Sequence, residues 1–280
     1  MGAYTVCLTF DFDALSGFIA RGLTTPTPIS RGEFGVVASE RIVELLGRHE
    51  IPSTWFIPGH TIESFPDACR RVHAAGHEIA HHGWTHVPPA NLSREQEEWN
   101  IVRGNEAIRV ITGQAARGYR SPAWDLSPHT IELLLSHGFL YESSLMGHDY
   151  RLYRCRTGDK IELEKPAVFG PETDLVEMPI SWSTDDYPHF EYMRLPNMLA
   201  PGLSWAGGVL ENWYDDFDYM TRIGDSGVLT YTCHPFVIGR GHRMLMLERL
   251  IEKLKSRGAV FRTMEAVTRE WLKTAPPPKR

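Results

Sequence analysis

Thr5-Val-Cys-Leu-Thr-Phe-Asp-Phe-Asp13 alternates strictly along its length. Val6, Leu8, Phe10 and Phe12 fall on one side; Cys7, Thr9, Asp11 and Asp13 fall on the other, as successive side chains of a strand do. Such a strand, ending in two carboxylates on one face, suits a buried sheet whose C-terminal edge does chemistry. The plain alternative is a solvated turn after the strand. Phe12 weighs against it, because it carries the alternation up to Asp13. Two desolvated carboxylates that share a face divide naturally into a metal ligand and a base, and the spacing does not say which is which.

Outward from this strand, apolar runs alternate with helical patterns. The sequence predicts strands at 53–57, 77–81, 118–120, 141–145, 175–180, 228–232 and 260–262. It predicts helices at 33–50, 65–75, from Ser93 to about Thr112, from Ser127 to His137, 205–222 and 242–255. Ser93 with Gln96 forms a capping box. Strand–helix alternation with few hairpin signals implies an α/β chain with a parallel sheet. Seven or eight such units suggest a closed or nearly closed barrel in a single domain, residues 1–274. Residues 275–280 form an expected disordered tail. Two stretches break the rhythm: 14–31, read as a long loop and a candidate lid, and 149–173, read as irregular.

The chain has 280 residues, 42% hydrophobic and 23% charged, with a net charge of -6. That is ordinary for one large globular domain and offers no basic excess for nucleic acid. No apolar run approaches a membrane span, and the N-terminus lacks the pattern of an export signal. Cys7, Cys69, Cys155 and Cys233 form no C-x-x-C pair. A cytoplasmic protein with reduced thiols is expected.

His82 and His86 stand four residues apart in His81-His-Gly-Trp-Thr-His86. If Gly83 turns the chain into a helical arc, both rings face one side. With one carboxylate they make a three-ligand site that leaves a position for water. A lone H-x-x-x-H is more often structural; the Asp pair reverses that balance. His77-Glu-Ile-Ala-His81 spells H-E-x-x-H, but that pattern requires a helix. On a strand the two rings would stand roughly 13 Å apart, at about 3.3 Å per residue. Arg120, ending a short strand before Ser121-Pro122, is placed to hold a carboxylate or to make a surface ion pair. His234, just past an apolar strand, suits a general acid or a simple strand cap. Trp124, Trp182, Tyr187 and Phe236 could line a pocket, although core packing is the commoner fate of any one of them.

In this order the pieces resemble the polysaccharide deacetylase (NodB-homology) family. Thr9–Asp13, Glu78–His86, Arg120-Ser-Pro122, Met178–Asp186 and Leu229–Pro235 look like its successive motifs. Phe12 separates the two aspartates that many members hold adjacent. That feature, the loop Ala14 to Gly35 and the segment 234–243 look like a branch of cyclic imide hydrolases, metal-free allantoinases and some peptidoglycan deacetylases. The resemblance implies a deformed (β/α) barrel with its site at the C-terminal mouth. It implies Asp13, His82 and His86 as ligands of one divalent metal, expected to be Zn²⁺. It further implies Asp11 as base, Arg120 as the residue orienting Asp11, and His234 as acid. Trp124, Trp182, Asp185 and Phe236 are the expected substrate contacts.

Hydrolysis of a non-peptide amide C–N bond follows. A small cytosolic cyclic imide or ureide is the expected substrate, since the chain shows no route to the cell wall. An N-acetylglucosamine N-deacetylase and a metal-free binding barrel are the alternatives. A homo-oligomer is expected, with the aromatic stretch 205–220 as a candidate interface.

Overall fold

The computed structural model describes residues 4–195, 198–200 and 202–279. The opening strand, β1 (Tyr4–Asp11), is buried along nearly its whole length. Its two faces do what the alternation demands. Val6, Leu8, Phe10 and the following Phe12 pack into the layer between sheet and helices, while Cys7 joins the apolar interior of the curl. The strands that follow are β2 (Thr54–Ile57), β3 (Glu78–His81), β4 (Gly118–Tyr119), β5 (Tyr141–Glu142), β6 (Tyr153–Arg156), β7 (Glu172–Glu177), β8 (Met193–Leu195), β9 (Met198–Ala200), β10 (Gly227–Cys233) and β11 (Val260–Phe261).

Nine strands form one curled sheet, in the order β10-β1-β2-β3-β4-β5-β7-β6, with β11 also pairing β1. Neighbours from β10 through β7 run parallel. Helices between them cover the outer face, as parallel strands buried on both sides require. This is the deformed (β/α) barrel, in a half-barrel form, on a single domain. Among the described residues no strand pairs β6 with β10. A single parallel bridge between Asp185 and Thr232 brings the chain beyond β7 back to β10.

Three expectations change. The stretch 14–31 is not a loop: it holds a short helix, Ser16–Ile19, and the start of the helix Pro26–His49. Pro26 sits in the first turn, where a missing N–H costs nothing. The stretch 149–173 contains β6, which runs antiparallel to β7 with an irregular register. The small antiparallel pair β8–β9 also departs from an all-parallel scheme. Other boundaries move by a few residues; the helix expected at Ser127–His137 is Thr130–Ser136. The capping box at Ser93 is present on the helix Arg94–Thr112.

Residues 276–279 lie along the edge of β7. Glu172 N donates to Lys279 O at 2.9 Å, and Arg154 donates to Pro276 O. Arg280 lies outside the described residues. In the aromatic stretch 205–220, Trp213 and Phe217 are buried in the core, while Trp205 and Tyr219 are exposed. No helix among the described residues is long and apolar enough to cross a membrane. The four cysteines are free and buried.

Away from the mouth, Glu78 on β3 accepts from Tyr141 Oη at 2.6 Å, Thr54 Oγ1 at 2.8 Å and Glu265 N at 3.1 Å. Burial pushes its carboxyl up to about 7, against the pull of these donors. The folded chain therefore keeps this proton to higher pH than the unfolded chain. The resulting stability is present below the unfolded pKa near 4.5 and fades as pH rises through about 7. It amounts to at most about 3 kcal/mol. Urea unfolding at pH 5 and pH 8 should show wild type losing stability over this range and Glu78→Gln losing less. Equal losses would contradict the assignment.

Candidate active site

The C-terminal ends of β1, β3, β4 and β10 converge on one cavity of about 110 Å³. Asp11 is the last residue of β1, and Asp13 lies two residues on, just before the positive-φ Ala14. The Asp13 carbonyl takes hydrogen bonds from Ser16 N at 2.9 Å, Ser16 Oγ at 2.7 Å and Thr61 Oγ1 at 2.6 Å. Its backbone is therefore pinned, and its carboxylate faces the histidines.

His82 follows β3. The expected helical arc is instead a run of bends, with positive φ at Gly83 and His86. Gly59 N donates to Gly83 O and His60 N to Trp84 O, which ties this turn to the start of the helix Gly59–Ser64. A Cβ on Gly59 would come within 2.5 Å of the Trp84 ring, so the close approach requires glycine. The turn still brings the rings together, with centroids 5.0 Å apart. His82 Nε2 lies 3.4 Å from Asp13 Oδ1, and His86 Nε2 lies 3.4 Å from Asp13 Oδ2.

Asp13, His82 and His86 thus offer one ligand atom each within 4.8 Å of one another. Asp13 Oδ1 and His82 Nε2 are buried with no hydrogen-bond partner. Two orphaned polar atoms facing each other need a third group between them. His82 Nδ1 is 2.7 Å from Arg120 O. A carbonyl only accepts, so Nδ1 donates there and Nε2 is the ring atom turned toward Asp13. Burial above all holds His86 well below its ordinary pKa, so that ring is neutral. Burial raises Asp13 against the pull of His82 and His234, a cost that a cation would relieve. The residues present fit a divalent metal.

Asp11 is held differently. Arg120 Nη1 donates to Asp11 Oδ1 at 2.7 Å, and both side chains are buried. Burial alone would raise Asp11; Arg120, His82 and His234 overcome it and hold the carboxylate below its usual range. Asp11 Oδ2, 3.9 Å from His82 Nε2, remains toward the cluster.

His234 opens beyond β10. Its Nδ1 lies 2.8 Å from Asp186 Oδ1, and its backbone N–H donates to the same carboxylate. Burial opposes its charge, but Asp185 and Asp186 outweigh it and raise the imidazole well above its ordinary value. Its Nε2 is 3.9 Å from Asp13 Oδ2.

Trp124, Trp182, Asp185 and Phe236 all line the cavity, as do Phe18, Arg21, Tyr187 and Met193. Trp124 and Trp182 stack at 4.0 Å. Trp124 and its neighbour Ala123 both hold positive φ, a strained backbone of the kind concentrated at functional sites. Arg120 stands behind Asp11 and does not line the cavity. Residues 14–21 form one wall of it. His77 and His81, by contrast, bond separately to Ser53 and to Ile101 O, and β3 is a strand, so H-E-x-x-H lacks the helix that the motif requires. Sequence reasoning gave Asp186 no role. It stands beside Asp185, and only the turn after the bridge to Thr232 decides which carboxylate meets the histidine.

The fold and this site together define a deformed (β/α) half-barrel with a histidine–carboxylate centre at its mouth. Residues 2–141 match the polysaccharide deacetylase family. The chain is 37% identical to the peptidoglycan deacetylase of Helicobacter pylori, over 95% of each sequence. A solved Mycobacterium smegmatis chain assigned to the polysaccharide deacetylases superposes with a TM-score of 0.86 at 29% identity, covering 100% of this chain and 93% of that one. An allantoinase shares the fold, with a TM-score of 0.75 at 22% identity over 98% and 91%. The chain belongs to the polysaccharide deacetylase family of hydrolases.

The two aspartates are separable by experiment. Calorimetric titration with Zn²⁺ should show one ion per chain in wild type and in Asp11→Asn. Asp13→Ala should bind more than about 100-fold more weakly, beyond what losing an outer partner costs. Equal weakening by both variants would contradict the division of roles.

Proposed function

We propose that this protein removes acetyl groups from N-acetylated amino sugars by metal-dependent amide hydrolysis. One observation carries the reading: a candidate ligand trio, an ionised carboxylate and a protonated imidazole all face one small cavity. The polysaccharide deacetylase match and the peptidoglycan deacetylase relative support the N-acetyl sugar.

Asp13, His82 and His86 would hold the ion, and this donor set suits Zn²⁺. When bound, it would polarise the acyl oxygen and lower the pKa of water toward about 7. Asp11 Oδ2 is placed to take the proton from the attacking water. Arg120 keeps Asp11 ionised for that task. His234, charged through its contact with Asp186, donates from Nε2 to the leaving nitrogen. Trp124, Trp182 and Phe236 line the apolar side, and Asp185, its carboxyl pushed up to about 8 by burial, offers a hydrogen-bonding group to the substrate.

The cavity's small volume and aromatic wall favour a second reading, ring opening of a cyclic imide or ureide by the same steps. A parallel assay decides. The Zn²⁺-loaded protein should release acetate from N-acetylglucosamine oligomers, and Asp11→Asn should lower kcat by at least about 100-fold. Turnover of succinimide or hydantoin alone would select the second reading. No turnover and no metal uptake would leave a binding barrel.

The pH profile offers a separate test. With its pKa raised, His234 stays protonated through neutral pH, and rate falls only once pH passes that value. Asp186→Asn weakens the support, so the alkaline limb of kcat/KM should move down by about a unit or more. An unmoved limb would remove His234 from the acid role.

A further inference from the structure

The cavity wall built by residues 14–21 carries a cation that the steps above do not use. Arg21 is the one Arg or Lys among the residues lining the cavity. Its Nη1 donates to Gly17 O at 2.6 Å, and among the described residues no carboxylate pairs with it. Other arginines at this end are committed. Arg120 holds Asp11, Arg31 pairs with Glu191, and Arg243 donates to Val237 O and Phe190 O.

Arg21 as a whole is exposed, at the rim of the cavity, and two more features place its guanidinium against the interior. A Cβ on Gly17 would sit 3.3 Å from Arg21 Nη1 and 3.7 Å from Asp13 Oδ2. A single methyl group would therefore bridge the space between the arginine and the candidate metal ligand; glycine keeps that space open. Tyr187 lines the same cavity, and its hydroxyl has no hydrogen-bond partner among the described residues. Burial pushes this phenol up to about 12, with Arg21 pulling the other way, so at neutral pH it is a donor. Of the acidic groups in the lining, Asp11 is the one held below its usual range, whereas burial raises Asp13 and pushes Asp185 up to about 8. An unpaired guanidinium and an unpaired phenol are donors suited to a carboxylate.

We propose that Arg21 and Tyr187 form a specificity site for a carboxylate borne by the substrate close to its scissile amide. Among N-acetylated amino sugars, the preferred ones would then carry a carboxylate beside the acetamido group. A merely solvated surface arginine is the competing explanation. The inference rests on amide hydrolysis in this cavity, and its test separates the two claims.

The probes are N-acetylmuramic acid and its methyl ester, which differ by one charge. Binding to the Zn²⁺-loaded protein is read by calorimetry, and acetate release is read alongside. Wild type should favour the acid about tenfold. Added salt should narrow the gap. Arg21→Gln should bring the ratio near one, Arg21→Lys should restore part of it, and Tyr187→Phe should reduce it. A wild-type ratio near one, no binding of either probe, or a ratio unchanged in Arg21→Gln would overturn the proposal. If neither probe releases acetate while the acid still binds better, deacetylation of these sugars fails and the carboxylate site stands.

Discussion

Arg120 is the residue on which the site's arrangement depends. Its guanidinium, buried with no exposure, bonds Asp11, the Thr9 hydroxyl, and the carbonyl and hydroxyl of Ser143, and it lies 4.1 Å over the Phe56 ring. Its backbone N–H meets His81 O, and its carbonyl meets His82 Nδ1. One residue of the chain after β4 thus ties together β1, β3 and the stretch beyond β5. A buried charge with a partner missing typically costs about 3–5 kcal/mol, so Asp11 and Arg120 stand or fall together. Asp11 is then committed to the arginine and Asp13 is left for the histidines. The same residue fixes the His82 tautomer. Identical side chains two positions apart acquire different chemistry from this one contact.

The mouth of the curled sheet supplies the rest. Parallel strands place their C-terminal ends at one edge, so residues distant in sequence meet without long excursions. The parallel bridge between Asp185 and Thr232 brings Asp186 under His234. Opposite electrostatics follow on the two sides of the cavity. A guanidinium keeps one carboxylate ionised, and a carboxylate pair keeps one imidazole charged. Pairs of groups whose environments push their pKa values apart are what acid–base work at neutral pH needs.

Much of this was legible in the residues. Val6, Leu8, Phe10 and Phe12 announced the first strand and its two faces because period-two alternation has few other causes. Ser93 and Gln96 marked a helix start through a local hydrogen-bond pattern. The ordered motifs led to the family and to Asp13, His82 and His86. The failures have physical causes. Pro26 and Pro28 resemble a loop, yet proline is tolerated in a first helical turn. Tyr-Arg-Cys-Arg156 lacks an apolar pattern because β6 is an edge strand, partly exposed and paired on one side. The turn from Gly83 to His86 uses left-handed backbone at a histidine, which side-chain periodicity cannot reveal. The choice between Asp185 and Asp186 is set by tertiary contact, as is the position of Arg21, which sits in a turn with no motif of its own.

The proposed function requires one divalent ion with Asp13, His82 and His86 while Asp11 stays with Arg120. A second buried group, Asp185, Asp186 and His234, offers the competing location. Anomalous diffraction from crystals grown with Zn²⁺ places the ion directly. A single strong peak is expected about 2.0–2.2 Å from an Asp13 oxygen and the two Nε2 atoms, with the Asp11–Arg120 pair intact. A peak on Asp185, Asp186 and His234, or an ion bound by Asp11 with Arg120 displaced, would contradict it.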